Sequence, residues 1–180
     1  GQEATPTASI HYLTEKLGSL VPNAEYRINN ISYRADKDGL IPIPEQWLGT
    51  TLSIVKKGNG KETTDSEVQS LNIPGRPQKP TPAGVDVNVP GGKGKLTGLS
   101  AGTDYEVSMD NGRTWEAKTA DGSGQITDLA PGSYVVRVKA GVSNFASKNS
   151  DAAKIGAYQI KVTFRANGEE YRVISVDYGG

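Results

Sequence analysis

A segment that occurs twice constrains this chain more than any other feature. Residues 16–28 and 95–107 share both leucines (Leu17 and Leu20 with Leu96 and Leu99), a tyrosine (Tyr26 with Tyr105) and the aliphatic two places on (Ile28 with Val107). Leu17 and Leu96 lie 79 positions apart. The likeness continues with small gaps: Tyr33 aligns with Trp115, Asp38-Gly39 with Asp121-Gly122, Ile43 with Ile126, and residues 49–58 with 132–141. Ser66 then aligns with Ser150 and Leu71 with Ile155, where the spacing has drifted to 84. Loop-length changes between like strands produce such a drift, so the chain reads as two copies of one module of about 80 residues.

Four of the ten prolines fall within residues 74–82. Proline fixes φ and removes a donor, so this stretch is expected to run as a semi-rigid extended spacer. The predicted organisation is a first module over 4–75, a proline-rich linker over 76–83, a second module over 84–156, and a remainder over 157–180. Within the second copy, short apolar alternations recur: Val85, Val87 and Val89; Tyr105, Val107 and Met109; Tyr134, Val136 and Val138. Each run stops at turn residues such as Pro90-Gly91-Gly92 and Asp110-Asn111-Gly112. In the first copy Asn29-Asn30 suits a two-residue hairpin turn, and Pro44-Glu45-Gln46-Trp47-Leu48 suits one helical turn. One irregularity stands out: Leu52 and Ile54 align with Val135 and Arg137, which leaves the inward side of that strand open.

Composition narrows the chemistry. The chain has 180 residues with twenty cationic and twenty acidic side chains, nine of each sign in residues 1–80 and eleven of each in 81–180. Neither half is a polyanion binder, so no nucleic-acid partner is expected. With no cysteine and the single His11, disulfides, thiol nucleophiles and two-histidine metal sites are excluded. Gly 22 and Pro 10 together make the chain turn-rich, against about 12% of residues in an average protein. No run reaches the roughly 18 apolar residues of a membrane span, so no membrane insertion is expected. The opening Gly1-Gln2-Glu3-Ala4-Thr5-Pro6 lacks a basic-then-apolar leader. It is expected to lie inside a longer protein, with Gly1 an expression remnant.

Short strands at even spacing, without a helical period, predict an all-β fold of two small antiparallel β-sandwiches in tandem plus a C-terminal hairpin. Leu99-x-x-Gly102-x-x-Tyr105 and Leu129-x-Pro131-Gly132-x-Tyr134 resemble the corner of fibronectin type III and immunoglobulin-like domains. The first copy keeps Leu20, Pro22 and Tyr26 of it, and the resemblance covers about residues 8 to 156. The paired cysteines of immunoglobulins are absent, so antibody-type packing is not implied. Tyr158, Ile160, Val162 and Phe164 alternate, turn at Ala166-Asn167-Gly168 and return through Tyr171, Val173 and Val176. With Asp177-Tyr178-Gly179-Gly180 this stretch is similar to the start of the internalin-type B repeats of bacterial surface proteins, which implies the beginning of a third, β-grasp-like domain.

Ser108-Met109-Asp110-Asn111-Gly112-Arg113-Thr114-Trp115 resembles the Asp-box of sialidases and related propellers. The resemblance implies a structural hairpin in which Asp110 caps turn amides, Ser108, Gly112 and Thr114 shape the turn, and Trp115 anchors it, away from any catalytic centre. Among the aromatics, Trp47 and Phe145 are the candidate glycan contacts, since a ring face suits the apolar side of a pyranose; the other reading of each is a ring buried in the interior, and for Phe145 folding back over the core is the favoured one. Tyr33 and Trp115, at aligned positions, read as core anchors. Phe145 lies in a loop, 141–148, that aligns with the lysine-rich loop 56–61 at a sandwich end, where recognition residues often sit.

Asp36-Lys37-Asp38-Gly39 fails the EF-hand spacing, with Trp47 where a bidentate Glu is needed, and reads as a turn. Glu15, Glu25, Glu106 and Glu116 are dispersed carboxylates, and no nucleophile elbow or phosphate loop is present. No catalytic, metal or cofactor site is expected, and the chain is not expected to be an enzyme. The reading that follows is a non-catalytic spacer and adhesion pair from a bacterial cell-surface or secreted multidomain protein. Its partners would be the neighbouring domains of that protein and a host or cell-wall glycan or protein ligand. The alternative is a carbohydrate-binding accessory pair of an extracellular glycoside hydrolase. A Lys–Asn cross-link in place of disulfides is compatible with either.

Overall fold

The computed structural model describes residues 1–177, the side chains of Tyr171 and Arg172 excepted. The Tyr178-Gly179-Gly180 part of the internalin-like motif lies outside the described residues.

The first copy forms seven strands: β1 (Ser9–His11), β2 (Lys16–Gly18), β3 (Glu25–Ile28), β4 (Ile31–Arg34), β5 (Ile41–Pro42), β6 (Thr50–Lys56) and β7 (Gln69–Ile73). All pair antiparallel, in a three-stranded sheet ordered β1-β2-β5 and a four-stranded sheet ordered β4-β3-β6-β7. The second copy repeats this with β8 (Ala83–Val85), β9 (Gly94–Thr97), β10 (Asp104–Ser108), β11 (Glu116–Thr119), β12 (Ile126–Leu129), β13 (Gly132–Val138) and β14 (Ala153–Ile155). Its sheets are ordered β12-β9-β8 and β11-β10-β13-β14, the same connectivity strand for strand. Each copy is therefore a Greek-key β-sandwich of the immunoglobulin and fibronectin type III kind. The one helical element in the described residues is a 3₁₀ turn, Glu45–Trp47, entered from Pro44 in extended conformation.

Strand pairing relocates several equivalences that residue identity had placed. Leu17 pairs with Ile41 and Leu96 with Ile126, so Ile126 is the counterpart of Ile41 rather than of Ile43. Tyr26 pairs with Tyr33 where Tyr105 pairs with Lys118, so Tyr33 and Trp115 are not equivalent. Two residues join the paired Ile28 and Ile31, whereas eight join Val107 and Glu116; the Asp-box segment accounts for the extra six. Nine positions lead from Ile41 to Thr50 but six from Ile126 to Gly132, because the 3₁₀ turn belongs to the first copy alone. With that correction Ile54 matches Val136 and Leu52 matches Tyr134, all four buried, and the irregularity in β6 disappears. Ile73, not Leu71, is the counterpart of Ile155, and Ser66 corresponds to Ser147: their N–H groups donate to Lys56 O and Val138 O.

Two apolar interiors result. The first gathers Leu17, Tyr26, Ile28, Ile41, Leu52, Ile54, Ile73 and Trp47; the second gathers Leu96, Tyr105, Val107, Ile126, Tyr134, Val136 and Ile155. The compact units are residues 1–77 with 140–146, and 78–139 with 147–180. Phe145 accordingly lies, fully buried, in the first interior, where it meets Tyr12 edge-on at 4.8 Å. Arg76 completes the arrangement within that unit. Its guanidinium donates to both oxygens of Glu15 at 2.7 Å, to Glu45 Oε2 at 2.8 Å and to Ala146 O at 3.0 Å, and lies 6.0 Å from the Phe145 ring centroid. Gly1, set aside above, is tied in as well: its amino group donates to Glu62 O, and Gln2 bridges Thr64 in parallel.

The remaining strands β15 (Gln159–Ala166) and β16 (Glu169–Asp177) form a two-stranded hairpin turned by Asn167 and Gly168, both at positive φ. Ile160 faces Val176 and Val162 faces Ile174, so with Phe164 they line one side, partly open to solvent; Tyr158 packs into the second interior.

Candidate functional site

The Asp-box segment forms a closed brace. Asp110 Oδ1 accepts the N–H groups of Arg113 (3.1 Å) and Thr114 (2.8 Å) and the hydroxyl of Ser108 (2.7 Å), while its Oδ2 accepts the Thr114 hydroxyl at 2.6 Å. Ser108 Oγ accepts Gly112 N–H at 2.8 Å. These donors, the Thr114 hydroxyl first, hold the Asp110 carboxyl well below the usual carboxylate range. Gly112, at φ 87°, leaves the space its missing side chain would take to the edge of Trp115. Trp115 is only partly buried, and the Arg137 guanidinium lies 4.0 Å from its ring centroid, fixed in turn by its Nε donating to Glu106 Oε2 at 2.7 Å. The hairpin thus presents a rigidly oriented indole at the sandwich edge.

A cleft of about 380 Å³ opens beside this hairpin within the second unit. Its apolar lining comes from Val107, Met109, Trp115, Leu129 and Tyr134. Its polar groups are Lys93, Thr114, Glu116, Lys118 and Asp128. Tyr134 is anchored by donating to Ala130 O at 2.7 Å; burial, then the Glu116 charge, push its hydroxyl pKa up. Asp128 sits in a bulge of β12 with φ 61°, left-handed for a residue with a side chain. Lys118 pairs with Glu116 at 2.7 Å.

The predicted glycan contacts lie elsewhere and offer no stacking platform. Trp47 is 5% exposed and packs edge-on to Tyr33 at 5.2 Å; Phe145 is 0% exposed against Tyr12. Each fills an interior hole, so neither offers a ring face to a sugar. Alternation also misplaced Met109: β10 ends at Ser108, and Met109 stands 57% exposed over the cleft. Val85 and Val89 likewise face solvent, with Val87 alone of that run buried. Asp36 behaves as a turn residue, its Oδ1 accepting the N–H groups of Asp38 and Leu40 at 2.9 Å. Lys93, Asp128 and Tyr134 were not read as neighbours, since strands far apart in sequence bring them together.

Among the described residues no group of three or more His, Asp or Glu side chains is placed to hold a metal ion, and no helix is long and apolar enough to cross a membrane.

No known family and no curated protein matches the chain. Among solved structures it is similar to the human OSCAR ligand-binding domain (15% identity, 78% of this chain and 87% of that one, TM-score 0.34). It is also similar to chicken CNTN1 domains FN1–FN3 (14% identity, 89% and 68%, TM-score 0.33). A third is titin domains A168–A170 (14% identity, 81% and 60%, TM-score 0.30).

Proposed function

We propose that the chain is a pair of non-catalytic spacer and adhesion modules from a bacterial cell-surface or secreted multidomain protein, working outside the cell. The observation that carries this reading is the duplication of the sandwich together with its braces. Tyr26 and Tyr105, and Asp36 and Asp121, repeat the same hydrogen bonds in each copy, which is how a chain builds stiff units in series. Arg76 adds to the stiffness by binding the start of the proline-rich linker to the first unit through a bidentate ion pair. The chain has no cysteine, so none of this stiffening comes from disulfides.

The test is surface labelling. Antibody against this chain is expected to stain intact, unpermeabilised cells of the source organism, or to detect the protein in the medium. Staining that requires cell lysis overturns the extracellular assignment. Exchange of both sandwiches for an unrelated rigid tandem of equal span separates the two roles: adhesion retained marks a spacer, adhesion lost marks a contact module.

A further inference from the structure

We infer that the cleft beside the Asp-box hairpin of the second sandwich is a binding site for a neutral sugar ring. The assignment goes beyond the spacer and adhesion reading, and its failure leaves that reading standing.

Three features of the cleft select this chemistry. The first is its size: about 380 Å³ lies within the range of roughly 300–1,000 Å³ typical of small-ligand sites and accommodates one or two pyranose rings. The second is an ordered apolar wall. Trp115 is held by Arg137 against its ring and follows directly on the brace around Asp110, Met109 stands exposed and lines the same cleft, and Tyr134 is fixed by its bond to Ala130 O. An indole already oriented by cation–π contact needs no ordering when a ligand arrives, and its flat surface suits the C–H face of a pyranose.

The third feature is the balance of polar groups. Two ammonium groups, Lys93 and Lys118, and two carboxylates, Glu116 and Asp128, line the same cleft. Their charges cancel, so neither an anionic nor a cationic ligand is favoured overall. Donors and strong acceptors lining the same cleft as an apolar wall match a ligand that is apolar on its ring face and hydroxylated at its rim. Lys118 and Glu116 already pair with each other, which leaves Lys93 and Asp128 as the groups offered to hydroxyls; no ion pair involves either among the described residues. Asp128 is exposed at a left-handed bulge, a backbone conformation that Asp adopts more readily than most side chains.

The closing experiment titrates the whole chain with neutral hexasaccharides of the cello, manno, xylo and N-acetylchito series, and with a heparin hexasaccharide as the anionic control. Tryptophan emission and calorimetry are recorded together. Trp47 is buried and Trp115 borders the cleft, so the emission change must persist in Trp47→Phe. At least one neutral oligosaccharide is expected to bind below 10 mM, with affinity reduced about tenfold or more in Asp128→Ala and in Lys93→Ala at unchanged thermal midpoint. Trp115→Ala is not used alone, because it also undoes the hairpin. Three results overturn the inference: no neutral oligosaccharide binding at 10 mM, binding unaffected by both substitutions, or tighter binding of the heparin fragment than of every neutral one.

Discussion

The phenol oxygens of Tyr26 and Tyr105 perform the same task in the two sandwiches: each accepts a hydrogen bond of 2.9 Å from the N–H five residues earlier, of Val21 and Ser100 respectively. Both rings are buried, at 2% and 3% exposure, so the hydroxyl is the one polar atom each carries inside. Replacing either tyrosine with phenylalanine strands the partner amide and is expected to destabilise by about 1 kcal/mol. The two residues share no neighbours, so Tyr26→Phe and Tyr105→Phe are expected to add within about 0.5 kcal/mol in the double variant. Urea denaturation checks the magnitude, and faster hydrogen exchange at Val21 or Ser100 alone checks the place.

Phe145 fills a hole in the first interior although its segment, residues 140–146, is flanked on both sides by stretches of the second unit. Phe145→Ala is expected to remove about 3–5 kcal/mol, the range for a buried aromatic whose cavity does not collapse. Emission from Trp47 in a Trp115→Phe background reports on the first unit, and its denaturation midpoint should fall. A midpoint that stays in place would show that the first interior closes without the ring.

Gly39 and Gly124 occupy matching turns at φ 73° and 70°, and a Cβ on either would run into a carbonyl oxygen, of Leu20 and Leu99 respectively. Gly102 has the same φ of 70° but open space around it. Alanine at Gly102 therefore reports backbone strain alone, about 1 kcal/mol. Alanine at Gly39 or Gly124 adds the collision and the loss of the Leu20 or Leu99 N–H bond to the turn, and is expected to exceed it by about 1–3 kcal/mol. Thermal midpoints of the three variants give the comparison.

The Asp110 carboxyl has a folded pKa below its ordinary 3.8, chiefly through the Thr114 hydroxyl and amide and the Ser108 hydroxyl. A depressed folded value means that the unfolded chain takes up the proton first. The brace therefore contributes its full stability above about pH 4 and loses it as the pH falls toward the folded value. Asp36, lowered in the same direction by the Leu40 amide, adds to the slope. The urea midpoint of the wild-type chain is expected to decline between about pH 4 and pH 2. Asp110→Asn should show a lower midpoint at neutral pH and a shallower decline; an unchanged slope would remove Asp110 from the account.

The architecture was legible because apolar alternation and turn residues survive in both copies, and because no gap interrupts the stretch from Leu17 to Tyr26 against Leu96 to Tyr105. Past that stretch, residue identity misled. The six residues added by the Asp-box and the three added by the 3₁₀ turn shift the copies in opposite senses, so chance likenesses such as Tyr33 with Trp115 filled the gaps. Hydrogen-bond register, which identity does not encode, resolves them. Sequence leaves Trp47 and Phe145 open between contact and interior for a different reason. A lone aromatic in a turn-rich segment looks the same whether it covers an interior or faces water, and the ring that meets Phe145, Tyr12, lies 133 positions away. The cleft was invisible for that reason too: Lys93, Asp128 and Trp115 share no local pattern.

The Asp-box bend and the 3₁₀ turn both lie in connections, and β3 with β6 keeps the same register as β10 with β13 around them. The layered frame acts as a common chassis on which fittings are exchanged. Moving the eight-residue bend of the second sandwich onto Ile28 and Ile31 of the first, together with Val55→Arg at the position that Arg137 holds in the second, would install a steadied indole where Asn29 and Asn30 now turn the chain.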